Sequence, residues 1–275
     1  MNTAVWFNVL LQLVYFVGVV FLFGYIISLI NKSFYKFVGR GKAVCYATGL
    51  IGTPIHELSH AIMCVVFMHK IDEVKLFHID RESGTLGYVK HSYNKKNLYQ
   101  VIGNFFIGTA PIVVGTLVIF LFVKLMLPET FSEIGIYVDE FVAAQSYNDG
   151  EKILSVGFNS VVGIVESIFS SIDVGILWWA FMVIALCIAL HMNLSSLDIK
   201  GSLSALPLLA IVFIILNFTI AYIFEDAYPY YVDFMNMAGS YLASALLLSL
   251  VLSLICFAIA LLVYLILWLP SRFVK

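Results

Sequence analysis

Long apolar runs constrain the fold of this 275-residue chain more than any other feature. Each run is long enough to cross a hydrocarbon core of about 30 Å at about 1.5 Å per helical residue. We therefore predict an all-α polytopic membrane protein with about six transmembrane helices, which form a single membrane-embedded domain over residues 1–275. The predicted spans are 4–30, 43–69, 98–127, 174–192, 202–224 and 237–269.

Composition supports a membrane protein and excludes several other classes. The chain is 62% hydrophobic and 12% charged, whereas soluble domains carry about 25% charged residues. A net charge of −2 and the absence of a basic run predict the lipid bilayer, and not nucleic acid, as a partner. The first run has no basic residue before it and is too long for a signal-peptide core, so we expect a retained span. Four cysteines without CxxC spacing predict neither a disulfide framework nor a thiolate zinc site.

The segments between the runs differ in character. Residues 71–94 alternate apolar and polar side chains around a glycine-containing turn, which predicts a small β-hairpin-like insert after the second span. Residues 128–173 form a predicted extramembrane segment. Within it, 153–172 is apolar but interrupted by polar residues, which favours an interfacial amphipathic helix over a seventh span.

The distribution of charge predicts the orientation in the membrane. Counting crossings places segments 70–97, 193–201 and 270–275 on one side, and these carry nine of the 15 Lys and Arg residues. The connections on the other side, 128–173 and 225–236, are acidic. Because Lys and Arg are enriched in cytoplasmic segments, the first side is predicted to be cytoplasmic.

One segment conflicts with this orientation. Residues 31–42 carry four basic side chains but would face outside. A second segment that enters and leaves the membrane on one side would remove the conflict. Gly49, Gly52 and Pro54 make such a broken helix physically feasible.

The most informative motif is His56-Glu57-Leu58-Ser59-His60, an HExxH sequence inside the second apolar run. On a helix, residues i and i+4 lie on one face, so both imidazoles can bind one metal ion. Glu57 points about 100° away around the helix, where it can act as a general base on water. Ionisable groups inside a membrane are costly and are functional by default. We predict a zinc site with His56 and His60 as ligands and Glu57 as the catalytic residue.

A catalytic zinc ion usually needs a third protein ligand, and Asp198 is the best candidate. The alternative for Asp198 is structural, because Ser195-x-x-Asp198 is typical of a capping box that begins a helix. His191 is a rival ligand, but it and Asp198 could bind one ion only if the chain breaks near Asn193. We favour a role beside the ligands or in substrate contact for His191 and Asn193.

Other polar residues have weaker signals. Asn104, near the start of the third span, is predicted to contact the substrate backbone or to hydrogen-bond to another helix. His69, His78 and His91 lie at a membrane edge or in the strand region, and surface or hydrogen-bonding roles are expected there.

These residues resemble those of intramembrane zinc metalloproteases of the site-2 protease family. The resemblance is carried by HELSH in an apolar helix, by Leu197-Asp198 in a later apolar region, and by Gly108-Thr109-Ala110-Pro111 in the third span. It covers residues 43–127 and 190–205 and is that of a divergent, minimal member without a PDZ domain. Gly201 follows Asp198 by three residues, where the family places its glycine directly after the aspartate.

The resemblance implies hydrolysis of peptide bonds in transmembrane protein substrates by a zinc-activated water, with Glu57 as general base. We expect a multi-pass protein of the cell membrane, or of the inner membrane of a bacterium, and the charge distribution predicts that the active site opens toward the cytoplasm. Two other functions fit the motif. One is a non-hydrolytic metal-binding transporter or scaffold. The other is a membrane zincin of the type that processes prenylated proteins, for which Glu166 would be the third ligand.

Overall fold

The protein is a helical bundle with one small sheet. The structure, a computed structural model, describes residues 2–38, 41–80, 84–144 and 150–268. These residues form nine α-helices and two antiparallel strands, which confirms the predicted fold class. The helices are α1 (Asn2–Leu13), α2 (Val19–Phe37), α3 (Gly41–Val66), α4 (Leu98–Met126), α5 (Pro128–Ala144), α6 (Gly150–Ser170), α7 (Ile176–His191), α8 (Ser196–Ile223) and α9 (Tyr228–Val263). The strands are β1 (Lys70–Lys75) and β2 (Tyr88–Ser92).

Six helical segments of the described chain are long and apolar enough to cross a membrane, so this is a multi-pass membrane protein. A π-helical turn at Val14–Gly18 joins α1 and α2, and a second one at Tyr264–Trp268 follows α9. Five of the six segments overlap the predicted spans. The segments are Thr3–Phe37, Ala43–Val66, Leu98–Met126, Ser155–Val174, Ser196–Ile223 and Glu225–Ile266.

The fourth span differs from the prediction. The run at 174–192 folds as α7, a helix of 16 residues, which covers about 24 Å and falls short of the usual 20-residue span. Phe181, Ala185 and Ala189 of this helix are fully buried, and α7 packs against α3, α4 and α9. One side of α7 therefore lies in the interior of the bundle, while Ile176, Trp179 and Val183 are exposed on its surface.

The segment predicted to lie outside the membrane also differs. Residues 128–173 contain α5 and α6, which pack against each other, and Ser155–Val174 meets the length and hydropathy of a span. Serine hydroxyls among the polar residues that suggested an interfacial helix bond within this pair, whereas Asn159 and Glu166 are exposed. The Ser160 hydroxyl, for example, donates to the Val156 and Tyr137 carbonyls.

Helix α3 runs unbroken through the region where a re-entrant break was considered. Pro54 lies inside the helix, and the neighbouring glycines serve close packing. A Cβ atom on Gly52 would lie 2.3 Å from the Cys187 carbonyl oxygen, and one on Gly49 would lie 2.8 Å from Leu86. These glycines let α7 and the chain before β2 approach the helix that carries HELSH.

Helices α3 and α8 both run antiparallel to α4. Along α3, His60 bonds to Ile107 while the later Phe67 meets Gly103. Along α8, Asp198 contacts Gly108, whereas the later Ser202 and Leu209 contact Phe105. The turn that follows α8 therefore lies at the same end of the bundle as the hairpin. The crossing count placed 225–236 on the opposite side, because it treated the short α7 as a complete crossing.

The predicted β-hairpin insert is confirmed. β1 and β2 pair antiparallel, with Lys70 opposite Ser92 and Lys75 opposite Tyr88. The chain from Gly84 to Gly87 continues β2 toward α3, where a Cβ atom on Gly87 would lie 2.8 Å from Cγ of Glu57. The hairpin thus covers the HELSH helix.

Candidate metal centre

His56 and His60 lie on one face of α3, with their Nε2 atoms 3.3 Å apart. The Nδ1 atom of His56 is 2.7 Å from the His191 carbonyl oxygen, and that of His60 is 2.8 Å from the Ile107 carbonyl oxygen. A carbonyl oxygen only accepts hydrogen bonds, so each Nδ1 carries the proton. Both Nε2 lone pairs are therefore free to bind a metal ion, with carbonyls supporting the two rings.

Asp198 joins the two histidines, and its two candidate roles coexist. Its Oδ1 atom lies 3.6 Å from Nε2 of His60. Its Oδ2 atom accepts a hydrogen bond of 2.8 Å from the Ser195 amide, while the Asp198 amide donates to the Ser195 hydroxyl at 3.1 Å. One carboxylate oxygen thus caps α8, and the other faces the histidines.

Two features of the chain bring Asp198 to this position. Helix α7 ends at His191 and α8 begins at Ser196, so the helical structure is interrupted near Asn193. At Gly108, a Cβ atom would lie 2.2 Å from the Ser202 hydroxyl and 2.4 Å from the Asp198 carbonyl oxygen. Only glycine allows α8 to begin this close to α4.

The donor set fits zinc. Within the described residues, the ligand atoms of His56, His60 and Asp198 all lie within 4.8 Å of one another. Two imidazole nitrogens bound to one tetrahedral zinc ion at their usual distances stand about 3.3 Å apart, which matches the Nε2 separation. Two imidazoles and one carboxylate are a typical ligand set of catalytic zinc, which keeps a fourth position for water.

The three candidate ligands open onto a cavity of about 680 Å³ that is lined by both polar and apolar side chains. Glu57 lines this cavity, is 8% exposed, and makes no hydrogen bond or ion pair within the described chain. The cavity walls come from α3, from residues 84–91, from α4 and from the α7–α8 junction. Glu57 is therefore placed beside the ligands and available to water.

The remaining predicted site residues also lie in the cavity wall. The His191 ring is not part of the metal group of the described residues: its Nδ1 atom bonds to the Cys187 carbonyl, its Nε2 atom is buried without a hydrogen-bond partner, and its own carbonyl positions His56. Asn193 accepts a hydrogen bond of 3.2 Å from Asn31. Asn104 is 6% exposed, and its Nδ2 atom has no hydrogen-bond partner among the described residues.

Sequence reasoning missed several residues of the site. The Ile107 carbonyl supports His60, but a main-chain contact carries no signal of residue type. His69 and His91 form a pair with Nδ1 atoms 3.0 Å apart, and the latter lines the cavity. These two histidines are 22 residues apart, so no helical or strand spacing links them.

Glu166 and the cysteines take no part in the metal group. Glu166 is exposed on α6 and is not among the clustered ligands of the described residues. All four cysteines are free, as the lack of CxxC spacing predicted.

Comparison with known proteins assigns this chain to no family. No protein-family model, no curated protein and no solved structure matches this chain. The geometry of the site is therefore the basis on which a function is proposed.

Proposed function

We propose that this protein is an intramembrane zinc metalloprotease that hydrolyses peptide bonds of transmembrane protein substrates. One observation carries the proposal. The Nε2 atoms of His56 and His60 and the Oδ1 atom of Asp198 converge beside Glu57, in a cavity lined by polar and apolar side chains within a bundle of apolar helices. This arrangement resembles that of the site-2 protease family.

The residues divide into a metal-binding set and a proton carrier. A zinc ion held by His56, His60 and Asp198 supplies a Lewis acid, which lowers the pKa of water and polarises a carbonyl group. Glu57 accepts a proton from water in the cavity and returns it to the leaving amine. Its carboxylate suits this role because no protein partner within the described chain competes for it.

The substrate enters as an extended segment. A transmembrane helix must first unwind, because its carbonyls are engaged in helical hydrogen bonds. The chain from Gly84 to His91 lines the cavity, and β2 pairs with β1 along one edge only in the described structure. The free edge of β2 supports binding of an extended peptide by strand addition.

We further propose that the cavity opens toward the cytoplasm. The hairpin segment 70–97 is rich in Lys and Arg, and it covers the cavity. Basic residues in short loops are retained on the cytoplasmic side, whereas acidic residues such as Glu225 and Asp226 contribute little to orientation.

The proposal is tested with the purified full-length protein in lipid nanodiscs. Bound zinc and cleavage of a single-span test substrate are measured for the wild type, Glu57→Gln, His56→Ala and Asp198→Asn. We expect Glu57→Gln to retain zinc and to lower kcat by about 10²- to 10⁴-fold, the usual range for loss of a general base. Glu166→Gln, on the exposed surface of α6, serves as the matched control and should change neither quantity.

Two outcomes would contradict the proposal, and a third would change its ligand set. Cleavage retained by Glu57→Gln would exclude Glu57 as the base. Zinc binding by the wild type without any cleavage would favour a non-hydrolytic metal-binding membrane protein. Zinc content and activity both unchanged in Asp198→Asn would remove Asp198 from the ligand set.

A further inference from the structure

The cavity contains one more histidine whose protonation is determined by its neighbours. His91, in β2, lines the same cavity as the metal centre. Its Nδ1 atom lies 3.0 Å from Nδ1 of His69, which is buried behind it with 5% of its surface exposed. The pair therefore lies where the cavity meets the base of the hairpin.

A chain of hydrogen bonds determines which ring nitrogen of His91 is protonated. Nε2 of His69 is 2.7 Å from the Gln100 carbonyl oxygen, which can only accept, so this nitrogen carries the proton. Nδ1 of a neutral His69 is then an acceptor, and Nδ1 of His91 must be the donor. The Nε2 atom of His91 is left unprotonated, as a hydrogen-bond acceptor.

The His69 ring is held firmly enough to enforce this arrangement. It stacks on Tyr93, with ring centroids 4.9 Å apart and an interplanar angle of 16°. The Gln100 side chain donates to the Met68 carbonyl at 2.6 Å, which ties the start of α4 to the residue before His69. A flip of the His69 ring that turned Nδ1 away would break the bond of Nε2 to the Gln100 carbonyl.

Strand alternation places the His91 side chain on the cavity face of β2. Lys90, the residue before His91, donates to Glu73 at 2.8 Å across the hairpin and also borders the cavity. Successive side chains of a strand point to opposite faces, so His91 shares a face with Gly87. Gly87 packs directly against Glu57, which identifies this face as the one toward α3.

We propose that His91 is a substrate-binding residue whose Nε2 atom accepts a hydrogen bond from a main-chain N–H of the extended substrate, and that His69 and the Gln100 carbonyl are its positioning groups. The inference rests on the proposed function, because its ligand is the peptide substrate. It adds recognition that is independent of substrate side chains. The Nδ2 atom of Asn104 also lies in the cavity wall and has no hydrogen-bond partner among the described residues. As a donor, it complements the acceptor Nε2 atom of His91.

The electrostatic surroundings support an uncharged His91. Burial is the main cause that lowers the pKa of His91, and the neighbouring His69 and His60 lower it further, while Asp72 and Asp198 raise it. These groups face His91 from the segment after α3, from α3 itself, from β1 and from α8. Above this lowered pKa, Nε2 remains an acceptor.

The first test reads the tautomers directly and does not depend on activity. Side-chain ¹⁵N NMR of histidine-labelled, zinc-loaded protein should show His91 with its proton on Nδ1 and His69 with its proton on Nε2. In His69→Phe, which can keep the stacking on Tyr93, the ¹⁵N shifts of His91 should move toward a mixture of tautomers. A His91 protonated only on Nε2 in the wild type would overturn the inference.

The second test separates recognition from a structural role of the pair. In His91→Asn, the amide can still donate to His69 but has no group at the Nε2 position. In His91→Gln, the amide oxygen reaches that position but the bond to His69 is lost. We expect KM to rise about 3- to 10-fold in His91→Asn, as for loss of one hydrogen bond, and less in His91→Gln. Zinc content should be unchanged in both.

The controls make the outcomes distinct. The exposed His78 lies outside the cavity wall, so His78→Gln should leave KM unchanged. A purely structural pair predicts the reverse order, with His91→Asn close to the wild type, and that result would overturn the inference. Absence of cleavage by the wild type would contradict the proposed function itself, whereas the NMR result decides the tautomers alone.

Discussion

Two histidine pairs lie within the same region of this protein, and they differ in how their protons are held. In the pair on α3, His56 and His60 each bond to a separate carbonyl, so two Nε2 lone pairs converge. In the pair at the hairpin, only His69 bonds to a carbonyl, and its other nitrogen meets His91. The number of supporting carbonyls thus decides whether a pair offers two lone pairs to a metal ion or shares one proton.

The pairs also differ in their neighbours. Asp198 brings a carboxylate to the α3 pair, whereas among the described residues no third ligand completes a group around His69 and His91. Two imidazoles without a further ligand fall short of the three protein ligands of a catalytic zinc site. The comparison predicts metal binding at the first pair only.

The largest expected effect comes from removing one histidine of the α3 pair. Removal of one histidine of the hairpin pair is the comparison. His60→Ala should lower zinc affinity by more than about 100-fold, because loss of a ligand exceeds the cost of losing an outer hydrogen-bond partner. His69→Ala should leave one zinc ion per chain. Zinc titration with a competing chelator measures both. Loss of zinc from His69→Ala with an intact fold would show that the pairs do not differ as proposed.

A smaller effect is expected from moving the third ligand. Gly108→Ala would place a Cβ atom against Ser202 and the Asp198 carbonyl, so α8 must shift. Asp198 would then move from the α3 pair, which would lack a third ligand as the hairpin pair does. We expect about 1–3 kcal/mol of destabilisation from overpacking and weaker zinc binding. Thermal unfolding and zinc titration test this. Gly135→Ala is the matched control, because a Cβ atom there meets open space.

A modest effect is expected from the hydrogen bonds that orient Asp198. Ser195→Ala removes the hydroxyl that accepts from the Asp198 amide, and loss of an N-cap costs about 0.5–2 kcal/mol. The loosened start of α8 should weaken zinc binding less than Gly108→Ala does. Zinc binding as weak as in Asp198→Asn would show that the cap, and not the carboxylate, holds the site together.

The smallest effect is a pH dependence confined to the hairpin pair. Because its pKa lies below the ordinary histidine value, neutral His91 accepts hydrogen bonds at pH 7 and loses this ability as the pH falls through that pKa. KM should therefore rise on acidification in the wild type and change less in His91→Asn. Steady-state kinetics at fixed zinc occupancy provide the measurement. An identical KM profile in both proteins would contradict the assignment.

Sequence alone predicts the first pair but not the second. The i, i+4 spacing of His56 and His60 identifies a metal site because helix geometry is regular. His69 and His91 come together only because β1 and β2 pair in a particular register. The local sequence pattern of either strand does not predict that register. The hairpin itself was predictable from alternation, since that pattern is also local.

The proposed third ligand and the membrane spans also show what sequence patterns predict and what they do not. Ser195-x-x-Asp198 left a cap and a ligand as alternatives for Asp198, and the structure places one carboxylate oxygen in the cap and the other 3.6 Å from Nε2 of His60. Hydropathy could not separate α7 from a span, because a buried helix and a lipid-facing helix are both apolar. The carbonyls of His191 and Ile107 carry no sequence signal at all.

The distance along the chain between His60 and Asp198 has a consequence for biosynthesis. His56, Glu57 and His60 are made and folded into α3 early, whereas Asp198 emerges only with the first turn of α8. Because chains are synthesised from the N-terminus, the nascent protein carries the base and two ligands through the insertion of α4 to α7 without a complete site. The order of synthesis itself delays assembly of the proposed metal centre until α8 begins, while most of α8 and all of α9 are still to be made.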